Sequence, residues 1–314
     1  MELRLLRYFL AVARENSFTR AARYLHVTQP TLSRQMMDLE EELGQKLLNR
    51  DSHNITLTPE GMLLRKRAEE IMAMVRKTEA EFNSIGENVA GNLYIGGGES
   101  RAMELIADII AELHESYPDI QFHLYTGVAS DVMERLDNGL LDFGVLLQPV
   151  DIARYDSISL PVKDTWGVLM RRDHPLANRG SVTPDDLRHQ ELICSRRDPR
   201  NPSVRNPYVE WFGGSLEKLH VVAVHNLIQN ASLLVERGMG TALTLKPKNI
   251  NGDKLCFRPF QPKLESGSSF VWKKYQVFSK AAELFLDRVR EHFGDSEAEQ
   301  TATEQKEIDR KEMK

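Results

Sequence analysis

The chain has 314 residues, about twice the length of a typical single domain, so two or three domains are expected. Hydrophobic residues make up 41% of the sequence and charged residues 28%, which is ordinary for a soluble globular protein. No run of about eighteen apolar residues occurs, which excludes a transmembrane helix, and the charged N-terminus lacks the apolar core of a signal peptide. We therefore expect a cytoplasmic protein that makes no use of a membrane.

The distribution of charge is more informative than the net charge of −5, which by itself disfavours nucleic acid as a partner. Residues 1–37 contain six arginines and two glutamates, a local net charge of +4 (6 − 2). Residues 294–314 contain four basic and seven acidic residues, a local net charge of −3 (4 − 7), and we expect this tail to be disordered. The asymmetry predicts a phosphate-binding module at the start of the chain, although a mildly basic, solvated helix face would give the same pattern.

Residues 1–43 have the apolar spacing of three helices. Ser17 can cap the second helix and Thr28 the third, in which Pro30 falls in the first turn, where no intrahelical N–H bond is needed. Gly44 is suited to end the third helix. The apolar residues that recur at the helical period in the first helix are Leu3, Leu6, Phe9, Leu10 and Ala13.

A hairpin and a long helix follow. Two short extended segments around 46–50 and 55–58, joined by a polar turn, complete the pattern of a winged helix-turn-helix over residues 1–58. Pro59 then begins a helix that the periodicity extends to about Ile85, within a linker of residues 59–88. A narrow apolar seam of this kind predicts pairing with a second copy, and the alternative is an amphipathic helix packed on its own domain. The seam steps by four and three residues through Leu64, Ala68, Ile71, Val75, Thr78 and Phe82.

Beyond residues 86–91, strands and helices alternate, which is typical of an open α/β sheet. Strands are predicted at 93–96, 120–125, 143–147, 166–170, 191–195, 221–224, 241–245 and 269–271. Helices are predicted at 100–115, 131–138, 227–237 and 280–293, with shorter helices that begin at Pro184 and Pro207. The predicted fold is therefore a multidomain α/β protein with an N-terminal winged helix-turn-helix and a long linker helix.

The strongest functional signal is the stretch from Ser17 to Gln35. Ala21 and Ala22 are small enough to let the second and third helices cross closely, as in a helix-turn-helix. Glutamine can pair with adenine, arginine with guanine, and hydroxyls with bases or phosphates. The first turns of the third helix expose such side chains at Gln29, Thr31, Ser33 and Arg34. This arrangement predicts binding in the major groove of DNA.

A specific motif runs through the same region. It reads Gln29-Pro30, Leu32-Ser33-Arg34-Gln35, Leu39-Glu40-Glu41-Glu42-Leu43-Gly44 and Leu57-Thr58-Pro59-Glu60-Gly61. In these residues the chain closely resembles the LysR-type regulators, and the resemblance extends more loosely to Phe293. By position it implies DNA contacts from Arg20, Thr28, Gln29, Pro30, Thr31, Ser33 and Arg34, with Pro30 more structural than the others. It also implies contacts from Arg50 and His53 in the wing.

The resemblance further implies an effector domain similar to periplasmic binding proteins, with two α/β subdomains. These would be residues 89–161 with 266–293, and residues 162–265, with a small molecule bound in the cleft between them. The loops that match the family's cleft contain Gly98, Ser100, Arg101, Gly127, Val128, Ser195, Arg196, His225 and Asn226. The backbone amides around Ser100, and Arg196 beside Ser195, favour an anionic effector. The alternatives are a solvated Arg101 and an ordinary basic surface loop at 196–197.

The function implied by the resemblance is transcription regulation and not catalysis. The regulator would bind double-stranded promoter DNA as a homodimer or homotetramer and contact RNA polymerase. No cofactor or metal is expected, because the nine histidines and two cysteines have no metal-ligand spacing, and no G-x-S-x-G motif occurs. Cys194 and Cys256 are 62 positions apart (256 − 194), which disfavours a peroxide-sensing pair. Two alternatives fit only half of the chain: a solute-binding transport protein and an architectural DNA-binding protein.

Overall fold

The structure is a computed structural model that describes residues 1–50, 55–83, 89–195, 207–214 and 219–294. The chain divides into two compact units, Met1–Ile85 and Gly86–Lys314. His53, Arg196 and the expected disordered tail after Gly294 lie outside the described residues, as does the side chain of Arg50. Among the described residues, no helix is long and apolar enough to cross a lipid bilayer.

The first unit begins with the three helices that the sequence predicts. Both predicted N-caps form, because the Ser17 hydroxyl accepts a hydrogen bond from the Arg20 amide and the Thr28 hydroxyl accepts one from the Thr31 amide. Gly44 ends the third helix in the left-handed conformation, with φ at 64°. The helices are α1 (Leu3–Glu15), α2 (Phe18–Tyr24) and α3 (Gln29–Leu43).

A single core joins these helices to the wing. Ala21 and Ala22 are buried, as expected for a close crossing of helices, and the other members come from α1, α3, the wing strands and Leu47, which directly precedes them. The wing strands, β1 (Leu48–Arg50) and β2 (Ile55–Leu57), pair antiparallel. The buried residues of this core are Leu5, Phe9, Ala11, Val12, Ala21, Ala22, Leu32, Met36, Leu39, Leu47, Leu48 and Ile55.

Three residues of the family motif hold the wing against the helices. One carboxylate oxygen of Glu40 accepts hydrogen bonds from the amides of Leu47 (2.9 Å) and Leu48 (3.1 Å). The Thr58 hydroxyl donates to the Lys46 carbonyl (2.7 Å) and accepts from the Gly61 amide (3.0 Å). These contacts connect the start of β1 to α3 on one side and to the next helix on the other.

The long helix α4 spans Pro59–Asn83 and packs along α1, which changes the interpretation of its apolar seam. Ala68 is fully buried against Leu6 of α1, and Leu64 is half-buried in the same cluster. These two residues therefore belong to the core of their own domain, and the prediction that Ala68 faces a partner chain is wrong. The remaining seam residues are exposed or half-buried: Ile71, Val75, Thr78 and Phe82.

The second unit is an α/β fold around one continuous, mixed sheet. The strand order is β4-β3-β5-β11-β6-β9-β7-β8, with β10 paired to β6. The strands are β3 (Gly91–Gly97), β4 (Ile120–Thr126), β5 (Phe143–Leu147), β6 (Tyr155–Arg171), β7 (Glu191–Ser195), β8 (His220–His225), β9 (Thr241–Leu245), β10 (Leu255–Pro259) and β11 (Glu265–Lys273). The helices are α5 (Ala102–Ser116), α6 (Ala129–Asp137), α7 (Pro184–Leu187), α8 (Pro207–Trp211), α9 (Ile228–Glu236) and α10 (Lys280–Phe293), with a 3₁₀ helix at Pro175–Asn178.

Two long strands, β6 and β11, connect the two halves of this sheet. The first half contains β4, β3 and β5, and the second half contains β9, β7, β8 and β10. The first half of β6 pairs with β11, and its second half pairs with β9 and β10. The pairing of β6 with β11 skips residues 161 and 162 and shifts register between Gly267 and Ser268. The boundaries expected between the subdomains, at 161/162 and 265/266, thus lie at or beside this irregularity. Separate apolar cores lie on the two sides of it.

Most predicted strands and helices are present, but β6 and β11 are longer than predicted and β10 was not predicted. The strand predicted at 269–271 is β11, which spans Glu265–Lys273. The sequence predicted a strand only at 166–170 where β6 runs from Tyr155 to Arg171, and it predicted none at β10. The first part of β6 alternates polar and apolar residues and includes Pro161, so it contains no apolar run that would predict a strand.

Candidate functional site

The first candidate site is the exposed, N-terminal end of α3. Thr28, Gln29, Pro30, Thr31 and Arg34 are all exposed, and Ser33 is half-buried. The hydroxyl oxygens of Thr28 and Thr31 lie 2.8 Å apart, so the cap is a pair of hydroxyls that fixes the start of the helix. Of the nine side chains predicted to bind DNA, the structure therefore brings six together at the N-terminal end of α3.

The arginines of the first unit differ in whether the chain neutralises them. Arg20 is exposed and lies 3.9 Å from a Glu15 carboxylate oxygen, and Arg7 lies 3.9 Å from Glu79. The Arg34 side chain forms no hydrogen bond or ion pair with any other described residue. A guanidinium without a partner among the described residues, near the positive end of a helix, favours an anionic partner such as DNA phosphate or the acceptor edge of guanine.

The second candidate site is a cavity of about 390 Å³ at the carboxyl ends of strands from both halves of the large sheet. Among the residues predicted to bind an effector, every one that the structure describes lines this cavity. These are Gly98, Ser100, Arg101, Gly127, Val128, Ser195, His225 and Asn226. The volume lies in the range of small-molecule sites.

Several lining residues were not predicted. The loop after β9 contributes Lys246 and Lys248, and the end of β5 contributes Gln148. Trp166 on β6 forms part of the wall, and its indole N–H donates to the Ser266 hydroxyl at 2.9 Å. The rule that ligands bind beyond the carboxyl ends of parallel strands predicts the loops after β5 and β9 as well, so this signal was present in the sequence.

Two of the backbone amides before α5 that were expected to bind an anion already have acceptors within the chain. The Ser100 amide donates to the Gly98 carbonyl (3.1 Å), and the Arg101 amide donates to a carboxylate oxygen of Asp164 (3.0 Å). Asp164 lies on β6 and is only 1% exposed. Its burial raises the pKa of the carboxyl group, which the hydrogen bond from Arg101 partly offsets. The first turn of α5 thus already has an internal carboxylate.

Two acidic residues near the start of α5 also have partners. Glu99 accepts a hydrogen bond from the Ile228 amide at 2.8 Å, and Glu104 forms an ion pair with Lys248 at 3.2 Å. In contrast, the side chains of Arg101 and Lys246 form no ion pair with any residue that the structure describes. The basic groups left for a ligand therefore outnumber the acidic ones.

His225 is a neutral group in the cavity wall. Burial lowers the pKa of its imidazole, against smaller opposing effects from nearby backbone groups and Glu99. A neutral ring at pH 7 can donate or accept a hydrogen bond but adds no charge to the site.

Cys194 precedes the cavity-lining Ser195 but is itself only 4% exposed. Its burial raises the pKa of the thiol to about 11, so the reactive thiolate is scarce at neutral pH. Cys256 is also buried and forms no disulfide, and its thiol donates to the Arg171 carbonyl at 3.8 Å. Among the described residues, no cluster of three or more histidine, cysteine or acidic side chains has a geometry that could hold a metal ion.

Comparison with known families assigns both units. Residues 3–62 match the model of the bacterial regulatory helix-turn-helix protein, lysR family, and residues 86–294 match the LysR substrate binding domain. The chain belongs to the LysR family. It is therefore a LysR-type transcriptional regulator with a DNA-binding helix-turn-helix and an effector-binding domain, and not an enzyme.

LysR-family relatives match over nearly the whole chain. The Hca operon transcriptional activator HcaR of Escherichia coli is 32% identical over 282 residues, which cover 88% of this chain and 93% of the relative. YvbU of Bacillus subtilis, an uncharacterized HTH-type transcriptional regulator, is 27% identical over 300 residues, with 94% and 99% covered. The dual regulator OxyR of Escherichia coli is 34% identical over 194 residues, with 62% and 63% covered.

LysR-family crystal structures have the same fold. CbnR superposes with a TM-score of 0.73 at 21% identity, with 93% of this chain and 99% of CbnR covered. CbnR in complex with its target DNA gives a TM-score of 0.71 at the same identity and coverage.

Proposed function

We propose that this LysR-type regulator reads a specific DNA sequence with the exposed end of α3 in the major groove. The observation that carries the proposal is that the side chains of Gln29 and Arg34 form no hydrogen bond or ion pair with any other described residue, on a helix end fixed by the Thr28–Thr31 hydroxyl pair. Amide and guanidinium groups in this position match the acceptor and donor edges of adenine and guanine. The six arginines at the start of the chain add sequence-independent attraction to phosphate.

The experiment that tests this proposal is a gel-shift titration of the Arg34→Ala variant on DNA from the regulator's own promoter region. We expect a loss of about 1–3 kcal/mol of binding free energy on the specific site, because one bidentate base contact disappears. Affinity for unrelated DNA should fall much less. The matched control is Arg288→Ala on α10, which removes the same charge in the other unit. Equal binding by Arg34→Ala and wild type would contradict the placement of α3.

A homodimer through α4 completes the proposed DNA-binding unit. Phe82 is 70% exposed and Ile71 36% exposed, while Val75 is half-buried, so an apolar strip remains after α4 has packed on α1. A second copy of the same helix is the simplest partner for such a strip. Two copies would place two α3 helices on the two halves of a palindromic site.

Further pairing of the effector domains into a tetramer is also part of the proposal. Both edge strands of the large sheet expose apolar side chains, Leu124 on β4 and Val221 and Val224 on β8. Exposed edge strands of this kind are ready to pair with another chain.

A regulator acts where the chromosome is, so we place the protein in the cytoplasm, where the DNA-bound form would contact RNA polymerase.

The proposed effector is a small anionic molecule bound in the cavity between the two halves of the large sheet. Arg101 and Lys246 line the cavity without ion pairs to described residues, while Glu99 and Glu104 are already engaged. Trp166, Leu147 and Val128 supply apolar surface for the rest of the ligand. A ligand that contacts both halves would favour one relative orientation of them, which is how its binding would reach the DNA.

A further inference from the structure

Two polar contacts cross the cavity from one half of the effector domain to the other. The Ile228 amide donates to Glu99 at 2.8 Å, and Lys248 pairs with Glu104 at 3.2 Å. Glu99 and Glu104 lie just before and inside the first turn of α5, in the first half. Ile228 and Lys248 belong to the second half, which is joined to the first half through β6 and β11. The acidic segment 99–104 therefore connects the two sides of the cavity independently of the long strands.

The contact made by Glu99 has the geometry of a helix cap. Ile228 is the first residue of α9, and the N-cap residue Leu227 has no side chain that can accept a hydrogen bond from the first turn. The Glu99 carboxylate takes this role from the opposite side of the cavity. A charged acceptor at a helix N-terminus is favoured both by the hydrogen bond and by the helix dipole.

We propose that Glu99 caps α9 from the opposite half of the effector domain and so holds the two halves together across the cavity. Separation of the two halves breaks the hydrogen bond to Ile228 and leaves the first turn of α9 uncapped. A ligand that enters between Glu99 and Ile228 has to break the same contact, so ligand entry and the arrangement of the halves become coupled. This last step rests on the proposed effector function, whereas the cap itself does not.

The test is hydrogen–deuterium exchange of the full-length protein without ligand, followed by mass spectrometry of peptides that cover residues 226–232. The first amides of a helix have no carbonyl partner within the helix, so the protection of Ile228 reports on Glu99 directly. In Glu99→Ala we expect exchange in this peptide to accelerate roughly threefold to thirtyfold, the range of a lost cap. Glu99→Gln keeps an acceptor oxygen without the charge and should show a smaller acceleration.

The matched control is Glu115→Gln, which removes a carboxylate from the exposed end of α5 away from the cavity. Peptides from β7 and β9 in all variants should exchange as in wild type. Unchanged exchange in both Glu99 variants, or an acceleration spread evenly over the whole second half, would overturn the proposal. If a titration with small carboxylates shows no binding, while exchange in the 226–232 peptide is still faster in the Glu99 variants, the effector proposal fails and the proposed cap stands.

Discussion

Single side chains explain why parts of the LysR motif have their particular chemistry. Glu40 and Thr58 belong to the family motif, which by itself gives them no physical role, and the structure shows that both anchor backbone groups around the wing. The sequence correctly predicted which residues cap α2 and α3, because caps act within four residues. It could not predict that Glu40 reaches residues seven and eight positions away, since that contact depends on the path of the chain after Gly44.

Gly61 is required by close packing, and its replacement should destabilise the DNA-binding unit. A Cβ atom at this position would lie 2.1 Å from the Leu47 carbonyl oxygen, a backbone atom that cannot move without the wing. We expect Gly61→Ala to lose about 1–3 kcal/mol of stability, the usual effect of overpacking. Calorimetry of the full chain would show a lower Tm for the first unit. At Gly180 an added Cβ meets no atom within 4 Å, so Gly180→Ala is the control, and equal behaviour of the two variants would contradict this account.

Cys194 should be chemically inert in the folded protein. With a thiol pKa of about 11, only about one molecule in 10⁴ carries the thiolate at pH 7. We expect slow labelling by a thiol reagent in native buffer and fast labelling in urea, and we expect hydrogen peroxide to leave DNA affinity unchanged. Formation of a Cys194–Cys256 disulfide at low peroxide concentration would show instead that the two buried thiols meet and sense oxidants.

At the scale of elements, the seam of α4 shows what a heptad pattern can and cannot decide. The spacing correctly identified a long helix with apolar residues on one side, but it did not separate the residues that pack on α1 from those left exposed. Ala68 and Met72 lie on the side that meets Leu6, whereas Ile71 and Phe82 lie on the adjacent side. The helical period alone cannot make this division, because one apolar stripe can serve two neighbours.

The exposed part of α4 leads to a prediction about assembly. Replacement of both Ile71 and Val75 by aspartate places two charges in the proposed dimer interface, where desolvation of an unpaired charge is strongly unfavourable. We expect sedimentation to show monomers, and affinity for a palindromic site to fall accordingly. Arg65→Asp, on an exposed part of the same helix, is a control for charge alone. A double variant that sediments like wild type would rule out α4 as the interface.

At the scale of the whole molecule, the sequence predicted where the cavity lies but not which of its lining groups already have partners within the chain. The loops that line it follow from the alternation of strands and helices and from the resemblance to the LysR family. The carboxylate of Asp164 binds the Arg101 amide from 63 positions along the chain, and the carboxylate of Glu99 binds the first amide of α9 from 129 positions along the chain. Such long-range pairs decide which amides remain for a ligand, and no local pattern reveals them.

The proposed effector site can be tested through Trp166, one of three tryptophans in the chain. Because its ring forms part of the cavity wall, a bound carboxylate should change the intrinsic fluorescence of the wild type during a titration with small mono- and dicarboxylates. Trp166→Phe should lose this response but keep the thermal stabilisation by the same ligand. Arg101→Met and Lys246→Met should each weaken binding about tenfold, since each removes one charged hydrogen-bond donor. Lys280→Met, on the exposed start of α10, should bind like wild type, and undiminished binding by the Arg101 and Lys246 variants together would show that the ligand is not held by charge in this cavity.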